Sequence, residues 1–228
     1  MGSSMKNNQE NNHIQSIFQS SEFNNLNKEA FNDKFKNDED YQKLKKLKEI
    51  HTELMKICDL NNNILDFRGN KINGWSINEK RGNKNYEAPK GWIGIGLKVI
   101  GNYEGDDWIN NKSNDEWCVA YHGINAGFIG KIIKEGFREA SRQVLMNYED
   151  ILHPGKKIGN GVYFTPSIKT AESYSQITNI GSEKYRIVLM VKIRGDKIRQ
   201  CREQETYWVV NASTDEVRPY RILLKEVV

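Results

Sequence analysis

Two short apolar segments, each delivering one polar side chain to a strand end, constrain this chain most. They are Trp117-Cys-Val-Ala-Tyr-His122-Gly123 and Gly159-Asn-Gly161-Val-Tyr163-Phe-Thr-Pro166. Both read as strands, presenting His122 and Tyr163. Between them Phe128-Ile-Gly-Lys-Ile-Ile-Lys-Glu-Gly136-Phe-Arg138 has a helical apolar pattern stopped by a glycine in the C-cap position. After Tyr163, Ser167-Ile-Lys-Thr-Ala-Glu-Ser-Tyr174 reads as a second short helix opened by a serine cap.

The remaining pattern sets a fold class. Tyr185 to Ile193 is a continuous apolar run, expected to be a central strand buried on both faces, and Tyr207–Val210 and Tyr220–Leu224 read as two more strands. Trp92-Ile-Gly-Ile-Gly-Leu-Lys-Val-Ile100 reads as a glycine-bearing strand, the first of the core. Short strands with small helices spread through them predict an α+β fold with a split, largely antiparallel sheet.

The N-terminal part differs. Met1-Gly-Ser-Ser reads as a tag remnant before a native Met5, and residues 5 to about 21 are rich in Asn, Gln and Ser and expected to be mobile. Leu44, Leu47, Ile50, Leu54 and Ile57 recur at steps of three and four, predicting an amphipathic helix to about Leu60. The division expected is therefore 1–4 remnant, 5–65 mobile and helical segment, and 66–228 main domain.

Residues 66 to 90 are turn-rich, and Trp75, Tyr86 and Trp92 interleave there with Lys71, Lys80, Arg81, Lys84 and Lys90. Such a stretch can stack on bases, dock a protein substrate, or form a loop sheet pinned by buried aromatics, the preferred reading. Glu139 to Gly159 reads as an irregular polar loop whose length favours a functional role over a plain connection.

Composition narrows the function classes. A net charge of +4 is too mild to argue for nucleic acid. Cys58, Cys118 and Cys201 are odd in number and far apart, with no metal spacing, which predicts a reducing compartment, cytoplasmic in its own cell or a host's. No apolar run approaches the ~18 residues of a membrane span.

The ordered set of motifs resembles the catalytic core of the poly(ADP-ribose) polymerase-type, diphtheria-toxin-like ADP-ribosyltransferases. It covers roughly residues 117 to 224, with Gly136 14 residues after His122 and Tyr174 11 after Tyr163, both as in that family. The resemblance implies the ADP-ribosyltransferase fold, NAD as co-substrate without metal, and release of nicotinamide. His122 would hydrogen-bond the ribose hydroxyl on the nicotinamide side, and Gly123 would offer its backbone to the carboxamide. Tyr163 and Tyr174 would sandwich the nicotinamide ring, and Arg138 would reach the adenosine side. The Glu139–Gly159 loop, with Arg142, Gln143 and His153, would lie over the adenosine.

Three departures modify that expectation. The family's carboxamide-binding serine falls on Ala171, with Thr170 one step off, and Ile124 stands where a hydroxyl residue often contacts the adenosine ribose. Chain-elongating members carry a glutamate where this chain has Tyr207, giving His-Tyr-Tyr, with Glu205 and Glu203 just upstream. Polymer growth would lose its base, so the resemblance implies mono-ADP-ribosylation. A silent NAD or ADP-ribose-binding module is the rival, and transfer to nucleic acid a second.

A further set, Arg81–Tyr86, Pro89–Trp92, Glu116–Gly123, His153–Gly155 and Arg218–Tyr220, is similar to a subgroup of effectors that modify ubiquitin on threonine. It implies a folded protein acceptor, ubiquitin first; the chain itself is expected to be a monomer.

Overall fold

The computed structural model describes residues 57–58, 64–67, 78–110, 116–139, 145–180, 183–201 and 206–227. The helix expected to end near Leu60 lies, but for its last positions, outside these, as do Trp75, Arg142, Gln143, Glu203 and Glu205.

The fold is α+β, with mostly antiparallel sheet and a few short helices. Its centre is the strand β8, Glu183–Ile193, whose residues Ile187 to Val191 are fully buried. An uninterrupted run of large apolar side chains satisfies a strand only where both faces are covered, and this one lies mid-sheet as its composition requires. On one side β8 pairs with β10, Val217–Glu226, from Val217↔Ile193 to Glu226↔Tyr185. The register shifts between Pro219 and Arg221, a bulge where a residue without an amide hydrogen is tolerated. Beyond β10 come β4, Ile93–Gly96, and the edge strand β1, Ile64–Asp66.

The other edge of β8 is shared. Its C-terminal part pairs with β5, Cys118–Gly123, and its N-terminal part with β7, Ile177–Ile180. The two lie end to end along one strand, and the sheet is split between Gly123 and Ile177. A backbone bond, Gln176 N–H to the Ile124 carbonyl at 3.4 Å, spans the split.

A second, two-stranded sheet joins β6, Val162–Phe164, to β9, Trp208–Val210. It meets β5 through reciprocal backbone bonds between Tyr121 and Thr165, 2.8 and 3.1 Å long. Thus Tyr207 leads into a strand as expected, though that strand pairs with β6 and not within the large sheet.

The turn-rich N-terminal stretch is more regular than its composition suggests. Strands β2, Asn78–Arg81, and β3, Lys84–Glu87, form a hairpin turned at Gly82 and Asn83, both with positive φ (57° and 61°). Two consecutive positive φ values make the turn whose twist suits a two-residue hairpin. Tyr86 and Trp92 are buried, so among the described residues this is the sheet pinned by aromatics. The strand expected from Trp92 to Ile100 is shorter, and β1 precedes it in the sheet; past Gly96 a turn closes between Val99 and Asn102.

The helices are brief: α1, Asp107–Asn110; α2, Ile129–Glu135, entered through a 3₁₀ turn at Ala126–Phe128; and α3, Ile168–Ser173. Gly136 ends α2 with φ 84°, as its sequence position predicts. Ser167 caps α3, accepting from the Thr170 amide at 3.4 Å. No helix among the described residues is long and apolar enough to cross a membrane.

One ion cluster and one cation cage fix the start of β5. Lys192, its side chain 4% exposed, meets Glu116 at 3.3 Å, and Arg81 reaches the same carboxylate at 3.4 Å. The Arg218 guanidinium lies over Tyr103, Trp108 and Trp117 at 4.6, 5.3 and 4.7 Å, a set of cation–π contacts that ties β10 to the Trp117 end of β5.

Candidate active site

A cleft of about 380 Å³ opens at the sheet split. Among its lining groups are His122 and Gly123 from the end of β5, Phe137 and Arg138 from the segment after α2, and Tyr174 from the end of α3. Four of the residues expected to act together, His122, Gly123, Arg138 and Tyr174, therefore share one wall.

His122 has the best-defined chemistry. Its Nδ1 lies 2.9 Å from the Tyr163 carbonyl oxygen, which can only accept, so Nδ1 carries the proton and Nε2 keeps its lone pair. The ring is boxed by Phe137 and Phe164, each with its centroid 5.3 Å away, and those two rings meet edge-on at 5.1 Å. Burial pushes the imidazole pKa below its ordinary value, outweighing the opposing pull of the Tyr163 carbonyl. His122 is thus a neutral acceptor held in one tautomer and one orientation.

Gly123 owes its identity to packing. A β-carbon there would stand 2.1 Å from the Ala171 carbonyl oxygen and 2.8 Å from the Tyr174 Cβ. The space that glycine keeps free is filled by the last turn of α3, so the residue lets Tyr174 close up against β5. Its backbone remains on the cleft wall.

The three tyrosines form a chain. Tyr163 accepts from the Leu145 amide through its hydroxyl at 3.0 Å and packs with Tyr207 on Leu145, Ile158, Cys201 and Val209. Tyr207 meets Tyr163 edge-on at 6.4 Å and Tyr174 edge-on at 6.2 Å, and its hydroxyl lies 2.6 Å from that of Tyr174. No ring contact among the described residues joins Tyr163 directly to Tyr174, the pair expected to enclose a flat ring; Tyr207 links them. The Tyr174 hydrogen bond, aided by burial, pushes the Tyr207 phenol up to about 12, so it stays protonated and cannot act as a base at neutral pH.

The other expected residues are engaged elsewhere or already paired. Thr170 is half-buried and not on the cleft wall; its backbone amide serves the Ser167 cap. Ala171 is buried beneath Gly123. Arg138 is exposed and paired with Glu135 at 2.8 Å.

The loop before β6 is fixed by two residues whose function its sequence did not reveal. Asp150, buried, accepts from the Leu152 and Gln200 amides at 3.0 and 3.1 Å and from His153 Nδ1 at 2.6 Å. Arg199 donates to the carbonyls of Ile158 and Asn160 at 2.6 and 2.8 Å. Together they bind the loop to the strand approach that leads toward Tyr207.

Three further cleft residues escaped sequence reasoning. Asn125 donates to the Gln176 side-chain oxygen at 2.5 Å, a polar clasp across the sheet split, and Lys131 projects from α2. Asn125 and Gln176 carry no motif. Lys131 lies on α2 while Arg138 follows the Gly136 stop, so helical spacing could not have paired the two cations.

Among the described residues no group of three or more His, Cys, Asp or Glu side chains is placed to hold a metal ion. Neither a protein-family model nor a curated protein matches this chain.

Proposed function

We propose that this chain is an NAD-dependent mono-ADP-ribosyltransferase, its split sheet that of the family which the His122, Gly123, Gly136 and Tyr163 motifs resemble. The observation that carries the reading is the pairing of His122 with the Tyr163 carbonyl. It sets a neutral, single-tautomer acceptor beside the Gly123 backbone at one end of a partly aromatic cleft. A dinucleotide fits that character: one flat ring for Tyr174, hydroxyls for His122 Nε2, and a carboxamide for the Gly123 backbone.

NAD would supply ADP-ribose as its ribose C1′–nitrogen bond breaks, with nicotinamide leaving, a carbon–oxygen bond forming to the acceptor and the acceptor's proton passing to solvent. The chain's own residues have positioning tasks. His122 fixes a ribose hydroxyl, while Phe137, Phe164 and Tyr174 limit water at the reacting end. Tyr207, a phenol at neutral pH, supplies no base for adding a second unit, which favours single transfer.

Labelled NAD incubated with the protein and a cell lysate tests the reading, with discrete labelled bands expected; a polymer ladder would contradict single transfer and turn attention to Glu203 and Glu205. Replacing His122 with alanine should lower kcat/KM about 10- to 100-fold, the equivalent of one lost buried hydrogen bond of roughly 1–3 kcal/mol. A folded His122→Ala protein with full activity would remove the site assignment.

For the acceptor we propose a folded protein, ubiquitin first. A threonine hydroxyl is a weak nucleophile and needs positioning more than a strong base, and a docked protein supplies it. Mass spectrometry of ubiquitin after incubation with enzyme and NAD decides this. A silent NAD-binding module is the second reading, favoured by one observation: Tyr207 and Tyr174 hydrogen-bond each other. The loss of label transfer with NAD binding intact would establish it. Against transfer to nucleic acid, Tyr86 and Trp92 are buried and not available to stack on bases, while Trp75 lies outside the described residues.

A further inference from the structure

Among the described residues the cleft wall carries two cations, Lys131 and Arg138, and no carboxylate. Arg138 is already engaged by Glu135 at 2.8 Å. Lys131 precedes Glu135 by four residues on α2, the spacing at which a helical ion pair forms. Among the described residues none forms there, because the carboxylate faces Arg138. Elsewhere Lys192, Lys197 and Lys225 each meet a carboxylate. Lys131 is an exposed lysine on the edge of a cavity, with no counter-charge among the described residues.

A cleft with an apolar wall at Phe128, Ile132 and Phe137, acceptor groups at His122 and an uncompensated positive edge calls for a ligand of matching parts. That ligand has flat rings at its ends and a negative linker between them. A dinucleotide's diphosphate is such a linker. A lysine suits it, acting as a point charge that tolerates a range of phosphate geometries, whereas a bidentate arginine would demand one.

Resting on the transferase reading for the identity of the ligand, we infer that Lys131 holds the diphosphate of the bound dinucleotide, while Glu135 keeps Arg138 from that role. Lys131 is therefore a positioning and specificity residue, distinguishing dinucleotides and ADP from uncharged nicotinamide. Glu135 works against binding, since its charge both neutralises Arg138 and repels phosphate.

The two residues are expected to act in opposite directions. Equilibrium binding of ADP, inorganic pyrophosphate, NAD and nicotinamide should be measured by calorimetry on the wild type, Lys131→Glu, Glu135→Gln and Lys134→Glu. The last is a charge reversal at an exposed residue of the same helix that does not line the cleft.

Lys131→Glu should weaken ADP, pyrophosphate and NAD about twentyfold at low ionic strength and leave nicotinamide unchanged. Glu135→Gln should tighten the three anions about threefold by releasing Arg138. Both effects should shrink in about 0.5 M salt, where the screening length falls to a few ångströms. In turnover, Lys131→Glu should raise KM for NAD with kcat nearly unchanged.

Equal anion affinity in Lys131→Glu and Lys134→Glu would overturn the inference, as would weaker binding in Glu135→Gln or no ADP or pyrophosphate binding to the wild type. NAD transfer by Lys131→Glu at the wild-type KM would sink the inference and leave the transferase reading standing. Charge-dependent ADP binding without any NAD consumption would do the reverse.

Discussion

Gly123→Ala should be among the most damaging single methyl groups that can be added at the described glycines. The added carbon would meet the Ala171 carbonyl at 2.1 Å and the Tyr174 carbonyl carbon at 2.9 Å, and neither backbone atom can rotate away as a side-chain tip would. Either α3 lifts from β5 or the end of β5 bends, and both separate Tyr174 from His122. Overpacking of this severity costs about 3 kcal/mol or more, which for a chain of this size lowers the melting temperature by roughly 10 °C. Gly105→Ala is the control. Gly105 has a positive φ, 64°, which Gly123 does not, but a β-carbon there meets nothing within 4 Å. Only local strain of about 1 kcal/mol is expected. Thermal melts of the two variants check the difference, and equal melting temperatures would show that α3 does not pack on Gly123 as described.

The second large effect is expected at Glu116. This carboxylate receives Lys192 at 3.3 Å and Arg81 at 3.4 Å, and the Lys192 side chain is 4% exposed. Glu116→Gln keeps the shape and removes the charge, leaving the buried ammonium with neutral acceptors only, the amide oxygen and the Trp117 carbonyl 3.2 Å away. Removing one partner of a buried pair costs about 3 kcal/mol.

The pH dependence has a definite sign. Burial lowers the Lys192 pKa and Glu116 pulls it back up, so the substitution lowers it further. Between the depressed folded pKa and the unfolded value of about 10.4, the unfolded chain binds more protons, so stability rises with pH. The deficit of Glu116→Gln against wild type should therefore be greatest near neutrality and shrink as pH rises toward about 9.5. Denaturant midpoints at a series of pH values measure it. A deficit constant with pH would mean that Lys192 is not the group left uncompensated. Adding Lys192→Met should restore most of the lost stability.

What was legible in the sequence follows from how local each signal is. The β8 strand declares itself because five consecutive apolar residues can only be buried on both faces. Gly136 and Ser167 declare the ends of their helices because capping chemistry involves neighbours three or four positions away. The hairpin at Gly82–Asn83 is equally local, but its strands, Asn78–Arg81 and Lys84–Glu87, are too polar to show alternation. The role of Gly123 was readable only as a close approach of backbone. Which group approaches depends on α3, about 50 residues later, and no local pattern encodes that. The same holds for the Asn125–Gln176 clasp, the Asp150 and Arg199 anchors and the Tyr174–Tyr207 pair, each made between segments far apart in the chain.

The junction between the two sheets has a consequence for assembly. The His122–Tyr163 bond and the Tyr121–Thr165 bonds cross from β5 to β6, and the bond to His122 joins positions 41 residues apart. β6 itself is completed only by β9, a partner more distant still. The histidine tautomer, the tyrosine chain and the anchored loop all depend on that junction, so they arise together once the small sheet docks. With strands of only three residues, held to β5 by the reciprocal Tyr121–Thr165 bonds, this unit is small enough to open locally, and the recognition site would then be lost while the large sheet stays intact.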